Sequence, residues 1–422
     1  MAVRIHPYRK ANSISSVWVG GIGGMDCGRD AQGIKHLLHP HAAKVCMPTA
    51  LLVSCAMYRH GTARMPAALK AAGFRVFAIC PRHSLLEFSD HVDGRHSFSP
   101  GLSVDDLTVT AARAATQLGA NIVIGCEESA VKVLGLAGRL LAQVAEDSAD
   151  AHKLRFLQGW YGGVCWEETR SRCVELAAEA GIRTPRQVVV DPRRTGPNDL
   201  SALSAPLLLK YDGSTAGRGV FLASDARHAS ELLAGLEQMS AFPADRRVVA
   251  QEFVRGRAAS VSFCALGGRM LEGFAYITLQ HQREPFGPAS VIELQDLPQL
   301  MDMARRMVEL TRYSGFGGID AMLPEDGGPP VFLEFNGRPT QTTHLGRLAG
   351  SDLCRAMACA LDGRPHEGVF GRTSGKTVAL FPAEWARDAN SRYLTAAHHD
   401  VPWSERRMTA AILNITPQLN SA

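Results

Sequence analysis

Apolar runs and helical periodicities alternate between Ala50 and Gly125. Ala50-Leu-Leu-Val-Ser54 is a short continuous apolar run, Ala63 to Ala72 repeats apolar residues at helical spacing and stops before Gly73, and Arg75 to Cys80 is a second run. A helix is predicted over about Val104 to Leu118 and a strand over Asn121 to Gly125. Strands that alternate with helices favour a parallel sheet, because each crossover helix packs back on a sheet face. Ligands of such sheets gather beyond the carboxyl ends of the strands, here near Cys55, Pro81 and Glu127.

Further on, a helix is predicted from about Glu167 to Ala180, stopped by Gly181, and Thr184-Pro185 restarts the chain into a strand over Gln187 to Val190. Residues 205–336 read as strands, glycine-rich turns and one helix, Leu297 to Thr311. The last region holds a strand, Thr377 to Phe381, and a polar helix. Residues 1–46 differ from the rest. Gly20, Gly21, Gly23 and Gly24 follow Val17 to Val19, but no G-x-G-x-x-G opens a helix there, so the segment reads as a poorly ordered extension ahead of Met47.

Composition narrows the class. With 422 residues the chain exceeds the roughly 250 to 300 residues that one core supports, so two or three subdomains are expected. Hydrophobic residues at 46% and charged residues at 20% describe a globular chain rather than a disordered one. A net charge of +4 argues against a polyanion such as nucleic acid as partner. The ten cysteines form no CxxC pair or metal-spaced cluster, and no apolar run approaches the roughly 20 residues that span a bilayer. A cytoplasmic protein without a membrane partner is the expectation.

The sharpest chemical signal is Gly315-Phe-Gly-Gly-Ile-Asp320-Ala-Met-Leu323, a turn from Pro324 to Pro330, and Val331-Phe-Leu-Glu334-Phe-Asn336-Gly-Arg338. Alternating flanks around Glu-Asp-Gly-Gly predict a hairpin. If Leu323 pairs with Val331, Asp320 lies across from Glu334, and Asn336 falls on the same face. Like charges facing across a strand pair are destabilising and call for a cation. Two carboxylates and an amide oxygen suit Mg²⁺ or Mn²⁺, with waters and phosphates as the remaining ligands.

A second signal is Leu207-Leu-Leu-Lys210, an apolar strand ending in one cation, followed by Tyr211-Asp-Gly213-Ser214-Thr215-Ala-Gly217-Arg-Gly219. Glycines let backbone N–H groups approach phosphate oxygens, and the lysine adds a point charge. The segment does not match the P-loop pattern. A third is Val248-Val-Ala-Gln251-Glu252-Phe253-Val254, a strand that runs into a polar linker able to offer backbone groups to an adenine edge. His344 follows the hairpin and reads as a substrate contact or, more simply, as a polar loop residue. His398-His399-Asp400-Val401-Pro402-Trp403 reads as a surface loop anchored by Trp403.

In this order, the lysine with its glycine loop, the Gln-Glu-Phe-Val linker and the Asp…Glu-x-Asn-x-Arg hairpin resemble the ATP-grasp superfamily, of the carboxylate–amine or carboxylate–thiol ligase type with a biotin-carboxylase-like N-terminal domain. The resemblance implies an α/β and α+β chain: a parallel domain over 47–150, a two-lobed ATP-grasp domain over 151–370 and a C-terminal extension over 371–422. It implies that Lys210 binds the α/β phosphates and that Gly213, Ser214, Thr215, Gly217 and Gly219 close over the β/γ phosphates. Gln251, Glu252 and Val254 would border adenine, Asp320, Glu334 and Asn336 would hold Mg²⁺, and Arg338 would touch the γ-phosphate or an acyl phosphate. Three positions depart from the pattern. Arg170 stands where many relatives carry a phosphate-binding Lys, and can still bind the nucleotide phosphates as a planar fork rather than a point charge, and Ala258 stands where some carry a ribose-binding Glu. Gly318 stands where the D-alanine ligase subgroup carries Arg, which argues against that subgroup.

The expected activity is ADP-forming ligation of a small-molecule carboxylate to an amine, with ATP and Mg²⁺ and no protein nucleophile. A homodimer is compatible with the resemblance. An ATP-binding regulatory protein that lost catalysis, and a biotin-carboxylase-like subunit, remain the alternatives.

Overall fold

The computed structural model describes residues 47–144, 170–211, 219–238, 248–284, 286–366 and 374–420. The predicted extension over 1–46 lies outside them. The first unit is a four-stranded sheet of β1 (Thr49–Val53), β2 (Arg75–Pro81), β3 (Gly94–Phe98) and β4 (Ile122–Gly125), in the order β3-β2-β1-β4. All its pairings are parallel. The run Ala50 to Val53 is apolar at every position because both faces are covered. Leu51, Val53, Phe77 and Ile79 pack under α2 (Val104–Gln117) and α3 (Glu128–Val144) on Leu107, Ala111 and Val133. Ala50, Leu52, Val76 and Ala78 face the opposite way, onto Met65 and Leu69 of α1 (Met65–Ala71) and onto Met357. Ser103 starts α2 by accepting a hydrogen bond from the Asp106 N–H at 3.0 Å.

The second unit is a four-stranded antiparallel sheet, β5-β8-β6-β7, of β5 (Gln187–Val190), β6 (Leu207–Tyr211), β7 (Val220–Ala223) and β8 (Val248–Glu252). α4 (Arg170–Glu179) precedes it. Its core is Leu207, Leu209, Val248 and Ala250 against Ala229, Leu233 and Leu236 of α5 (Ala226–Gln238). That helix corrects the reading of one helix in 205–336; its buried face consists of those few residues at helical spacing inside an otherwise polar stretch.

The third unit is a seven-stranded sheet in the order β13-β12-β9-β10-β11-β14-β15. Its central strands are β9 (Gly256–Leu266), β10 (Arg269–His281), β11 (Ala289–Gln295), β12 (Gly315–Pro324) and β13 (Val331–Asn336). One face packs Val261, Phe263 and Ile277 on Met301, Ala304 and Val308 of α6 (Pro298–Thr311), with Val174 and Ala177 of α4 joining the same core. The other packs Cys264 and Phe274 on Leu353 and Met357 of α7 (Leu353–Leu361). No helix among the described residues is long and apolar enough to cross a membrane.

The C-terminal residues continue this sheet. The strand expected over Thr377 to Phe381 is β14 (Lys376–Ala379), which pairs with β11 and carries the two-residue β15 (His398–His399) at the edge. α8 (Arg406–Asn420) then returns to the first unit, packing Met408 and Ile412 with Leu85. Trp403 is 75% exposed and anchors nothing, contrary to expectation. The anchor is Asp400. Its buried carboxylate accepts from Arg64 Nη2 at 2.9 Å and meets His344 Nε2 at 2.8 Å, while its carbonyl accepts from Arg64 Nη1 at 2.9 Å. His344 is therefore a structural residue at a three-way junction rather than a substrate contact.

Burial alone would raise the Asp400 carboxyl, but His344 and Arg64 together hold it below the ordinary range. Because the folded pKa is depressed, its contribution to stability is present above the unfolded value, near 3.8, and is lost as pH falls through the folded one. Asp400→Ala strands two buried partners and is expected to cost about 3–5 kcal/mol in urea unfolding at pH 7. The gap between mutant and wild type should narrow below about pH 4.

Candidate functional site

The three units meet around a cleft of about 530 Å³. Its floor is the face of β9, β10, β12 and β13, its roof comes from β6, β7 and β8, and its far end is the loop after β1. Lys210, Gln251, Glu252, Val254, Asp320, Glu334, Asn336 and Arg338 all line it.

The hairpin sets the floor. Asp320 pairs with Glu334 and Gly318 with Asn336. The expected Leu323–Val331 pairing is replaced by Met322–Val331, and an extra residue at Leu333 restores the register before Glu334. A bulge of this kind cannot be read from alternation, because it inserts one residue in one strand. Asp320 Oδ1 accepts from Ser260 Oγ at 2.7 Å and Oδ2 from Asn336 Nδ2 at 2.9 Å. With Nδ2 donating to Asp320, the Oδ1 end of Asn336 is the one available to a cation. Among the described residues no group of three or more His, Cys, Asp or Glu gathers as a metal cluster. The protein thus offers two opposed carboxylates and an amide oxygen, which leaves coordination positions for water and phosphate and fits Mg²⁺.

On the roof, Lys210 Nζ donates to Gln251 Oε1 at 2.5 Å, and Gln251 Nε2 donates to Gln187 Oε1 at 3.0 Å. Lys210 faces Val249 and Gln251 faces Leu208 across the β6–β8 ladder, so sheet pairing brings the lysine and the linker together. Glu252 lines the cleft while its carboxylate is engaged by the Ser204 N–H at 2.7 Å and by Arg186 Nε at 3.5 Å. Beyond it, Phe253 meets Phe286 edge-to-face with centroids 6.5 Å apart. Ala258 lines the cleft. Gly219 is buried, and its carbonyl accepts from the Tyr211 N–H at 3.3 Å. Gly213, Ser214, Thr215 and Gly217 lie outside the described residues, as does the Arg170 side chain at the start of α4.

Arg338 reaches across to the first unit. Its Nε and Nη2 donate to Glu128 Oε1 at 2.8 and 2.5 Å, and Arg59 Nη2 stands 3.5 Å from Glu128 Oε2. Burial works to raise Glu128, yet Arg338 and Arg59 hold it below the usual carboxylate range. Burial likewise works to lower Arg338, and Glu128, Glu334 and Asp320 outweigh it. The predicted strand-end residue Glu127 turns inward instead, where burial raises its carboxyl and Ser54 Oγ and the Cys55 N–H donate to it. Residues from the 281–290 loop line the cleft; Pro81, expected near the ligand, does not, and Leu85 beyond it packs under α8. Ser260, Arg59, His60, Glu128 and Gln341 were not singled out by sequence. Only Glu128 carried a signal, as the residue next to a marked strand end.

Residues 172–342 match the family model described as an ATP-grasp domain. The D-alanine–D-alanine ligase of Nitrosospira multiformis is 30% identical over 180 residues, covering 40% of this chain and 56% of that protein. The phosphoribosylamine–glycine ligase of Caulobacter vibrioides is 28% identical over 317 residues, covering 70% of this chain and 69% of that protein. A corresponding ligase of Allochromatium vinosum is 32% identical over 187 residues, 39% of this chain and 43% of that protein. The chain thus spans about half the length of the first relatives it matches. Among solved structures, the biotin carboxylase domain of Hydrogenobacter thermophilus 2-oxoglutarate carboxylase, complexed with MgADP and bicarbonate, shares the fold with TM-score 0.57 at 16% identity, covering 78% of this chain and 72% of that one. An ADP complex of N5-carboxyaminoimidazole ribonucleotide synthetase does so with TM-score 0.55 at 15% identity, over 79% and 82%.

Gly318 has no room for a side chain: a Cβ there would lie 2.5 Å from Thr340 Cγ2 and 2.8 Å from the Val261 carbonyl. Gly318→Ala is expected to destabilise by about 1–3 kcal/mol, read as a lower urea midpoint, because the Val261 backbone cannot yield. The floor of the cleft is therefore built around the glycine and not around the arginine of the D-alanine ligase subgroup. Residues 172–342 thus match an ATP-grasp domain, with an N-terminal parallel α/β unit ahead of them.

Proposed function

We propose that this protein is an ADP-forming ligase that activates a carboxylate as an acyl phosphate and passes the acyl group to an amine. The observation that carries the reading is the opposition of Asp320 and Glu334 on the floor of a cleft whose roof presents Lys210. Two facing carboxylates are tolerated when a divalent cation lies between them and a polyphosphate. The similarity to ligases that by name join D-alanine to D-alanine and phosphoribosylamine to glycine supports the same bond class. The free thiols Cys55, Cys80, Cys126, Cys173, Cys264, Cys354 and Cys359 suit a reducing compartment such as the cytoplasm.

On this reading Lys210 holds the nucleotide phosphates as a point charge, residues 213–219 cover the outer phosphates, and Gln251 to Val254 edge the base. Asp320, Glu334 and Asn336 hold Mg²⁺, which when bound supplies positive charge to the phosphoryl group in transfer. The substrate carboxylate oxygen attacks the γ-phosphorus, and the bond to the β–γ bridging oxygen breaks with its electron pair leaving on ADP. The amine nitrogen then attacks the acyl carbon, the carbon–oxygen bond to phosphate breaks, and the amine loses a proton. Arg338, already in the cleft, is placed to neutralise the departing phosphate, so catalysis rests on positioning and charge rather than on a protein nucleophile.

Mg·ATP at about 100 times its Kd is expected to stabilise the fold by about 2.7 kcal/mol in thermal unfolding, an effect that EDTA removes. A matrix of metabolite acids and amines is expected to yield ADP and phosphate release that requires Mg²⁺ and one particular acid. Asp320→Asn and Lys210→Ala should each lower that rate by about 10²–10³. Absence of release across the whole matrix would overturn the reading.

A further inference from the structure

The chain leaving β1 passes through Tyr58, Arg59, His60 and Gly61, and all of them line the far end of the cleft. Gly61 presses directly on the loop beyond Arg338: a Cβ there would lie 2.3 Å from Gln341 Cα and 2.7 Å from its carbonyl oxygen. Glycine alone allows this approach. The Gln341 side chain donates to the Ala289 carbonyl at 3.2 Å, and Ala289 pairs with His281 in the β10–β11 ladder. His60, Gln341, His281 and Gln282 are thereby gathered at one corner.

The two imidazoles there present lone pairs. His281 Nδ1 stands 2.8 Å from the Gly287 carbonyl, which can only accept, so the ring hydrogen sits on Nδ1 and the lone pair on Nε2. His60 Nε2 is buried and has no hydrogen-bond partner in the structure. Burial keeps that ring uncharged, pushing its pKa down to about 4. Among the described residues the carboxylates on the cleft lining are Glu252, tied to Ser204, and the Asp320–Glu334 pair, and the one beside this corner is Glu128. The charges beside it are the Arg59 and Arg338 guanidiniums, both on Glu128.

We propose that this corner is the subsite of the attacking nucleophile and that it takes an amine in its uncharged form, a conclusion that rests on the ligase reading above. An ammonium would face two guanidiniums that share the single carboxylate of Glu128, a triad of net positive charge. A free amine donates its N–H to the lone pair of His60 and keeps its own lone pair for the acyl carbon. The corner therefore selects the protonation state that reacts. The acid, by contrast, is served by the arginines.

The test uses the full chain, the acid and amine that give turnover in the matrix above, and the variants His60→Phe, His60→Gln and His281→Phe. Mg·ATP-induced thermal stabilisation reports the fold and the nucleotide end in each. His60→Phe, which removes the acceptor, is expected to raise the KM for the amine about tenfold while the KM values for ATP and the acid hold. His60→Gln restores an acceptor oxygen and should recover most of the loss. His281→Phe should shift the same constant in the same direction. An unchanged amine KM in both phenylalanine variants, or an equal rise in the KM for the acid, would overturn the proposal while leaving the ligase reading intact. Failure of the wild type to release ADP with any acid overturns the ligase reading, and this subsite with it.

Discussion

Two carboxylates directly across a strand pair, with Cβ atoms about 5 Å apart, repel by roughly 3 kcal/mol at an effective dielectric of about 20. The floor of the cleft is built around that repulsion between Asp320 and Glu334. Ser260 and Asn336 donate to Asp320, and Arg338 lends positive charge from the side. Neutral donors orient a carboxylate without discharging it, so the pair keeps its appetite for a cation. The Leu333 bulge is what makes the pairing face-to-face, because without it the register at the turn would set Asp320 against Leu333.

Charge also ties the three units together, and the two ties differ in kind. Arg338, Glu128 and Arg59 link the hairpin to the first unit at the cleft itself, where the groups are partly exposed. Arg64, Asp400 and His344 link the first unit, the loop after the hairpin and the C-terminal segment in a buried junction. A buried network holds one geometry because breaking it strands charges away from water. The far end of the cleft is thus carried on a frame held by that buried junction. Gly61, packed on Gln341, keeps that frame close enough for the loop after β1 to line the site.

Much of this was legible from residue order. Continuous apolar runs marked β1, β2 and β4 because both faces of the parallel sheet are covered, and Gln187–Val190 was bounded correctly by its flanking glycine and proline signals. The hairpin was legible from its alternating flanks, whereas its Asp320–Glu334 pairing is reached through the Leu333 bulge and not through the expected Leu323–Val331 register. What escaped had weak local signatures. α5 buries few residues in a polar stretch, β3 is the edge strand Gly-Arg-His-Ser-Phe, and the C-terminal strands look independent until they meet β11.

Local chemistry in the chain determined the strands, the glycine stops and the order of lysine, linker and hairpin, since each depends on residues a few positions apart. Tertiary structure alone decided which of the adjacent Glu127 and Glu128 turns inward and which reaches Arg338, that His344 serves Asp400, and that His60 stands at the cleft. Those outcomes depend on backbone direction at a strand end and on partners hundreds of positions away, such as Arg64 with Asp400 and Glu128 with Arg338. No spacing along the chain encodes a contact made by two separately folded units when they dock.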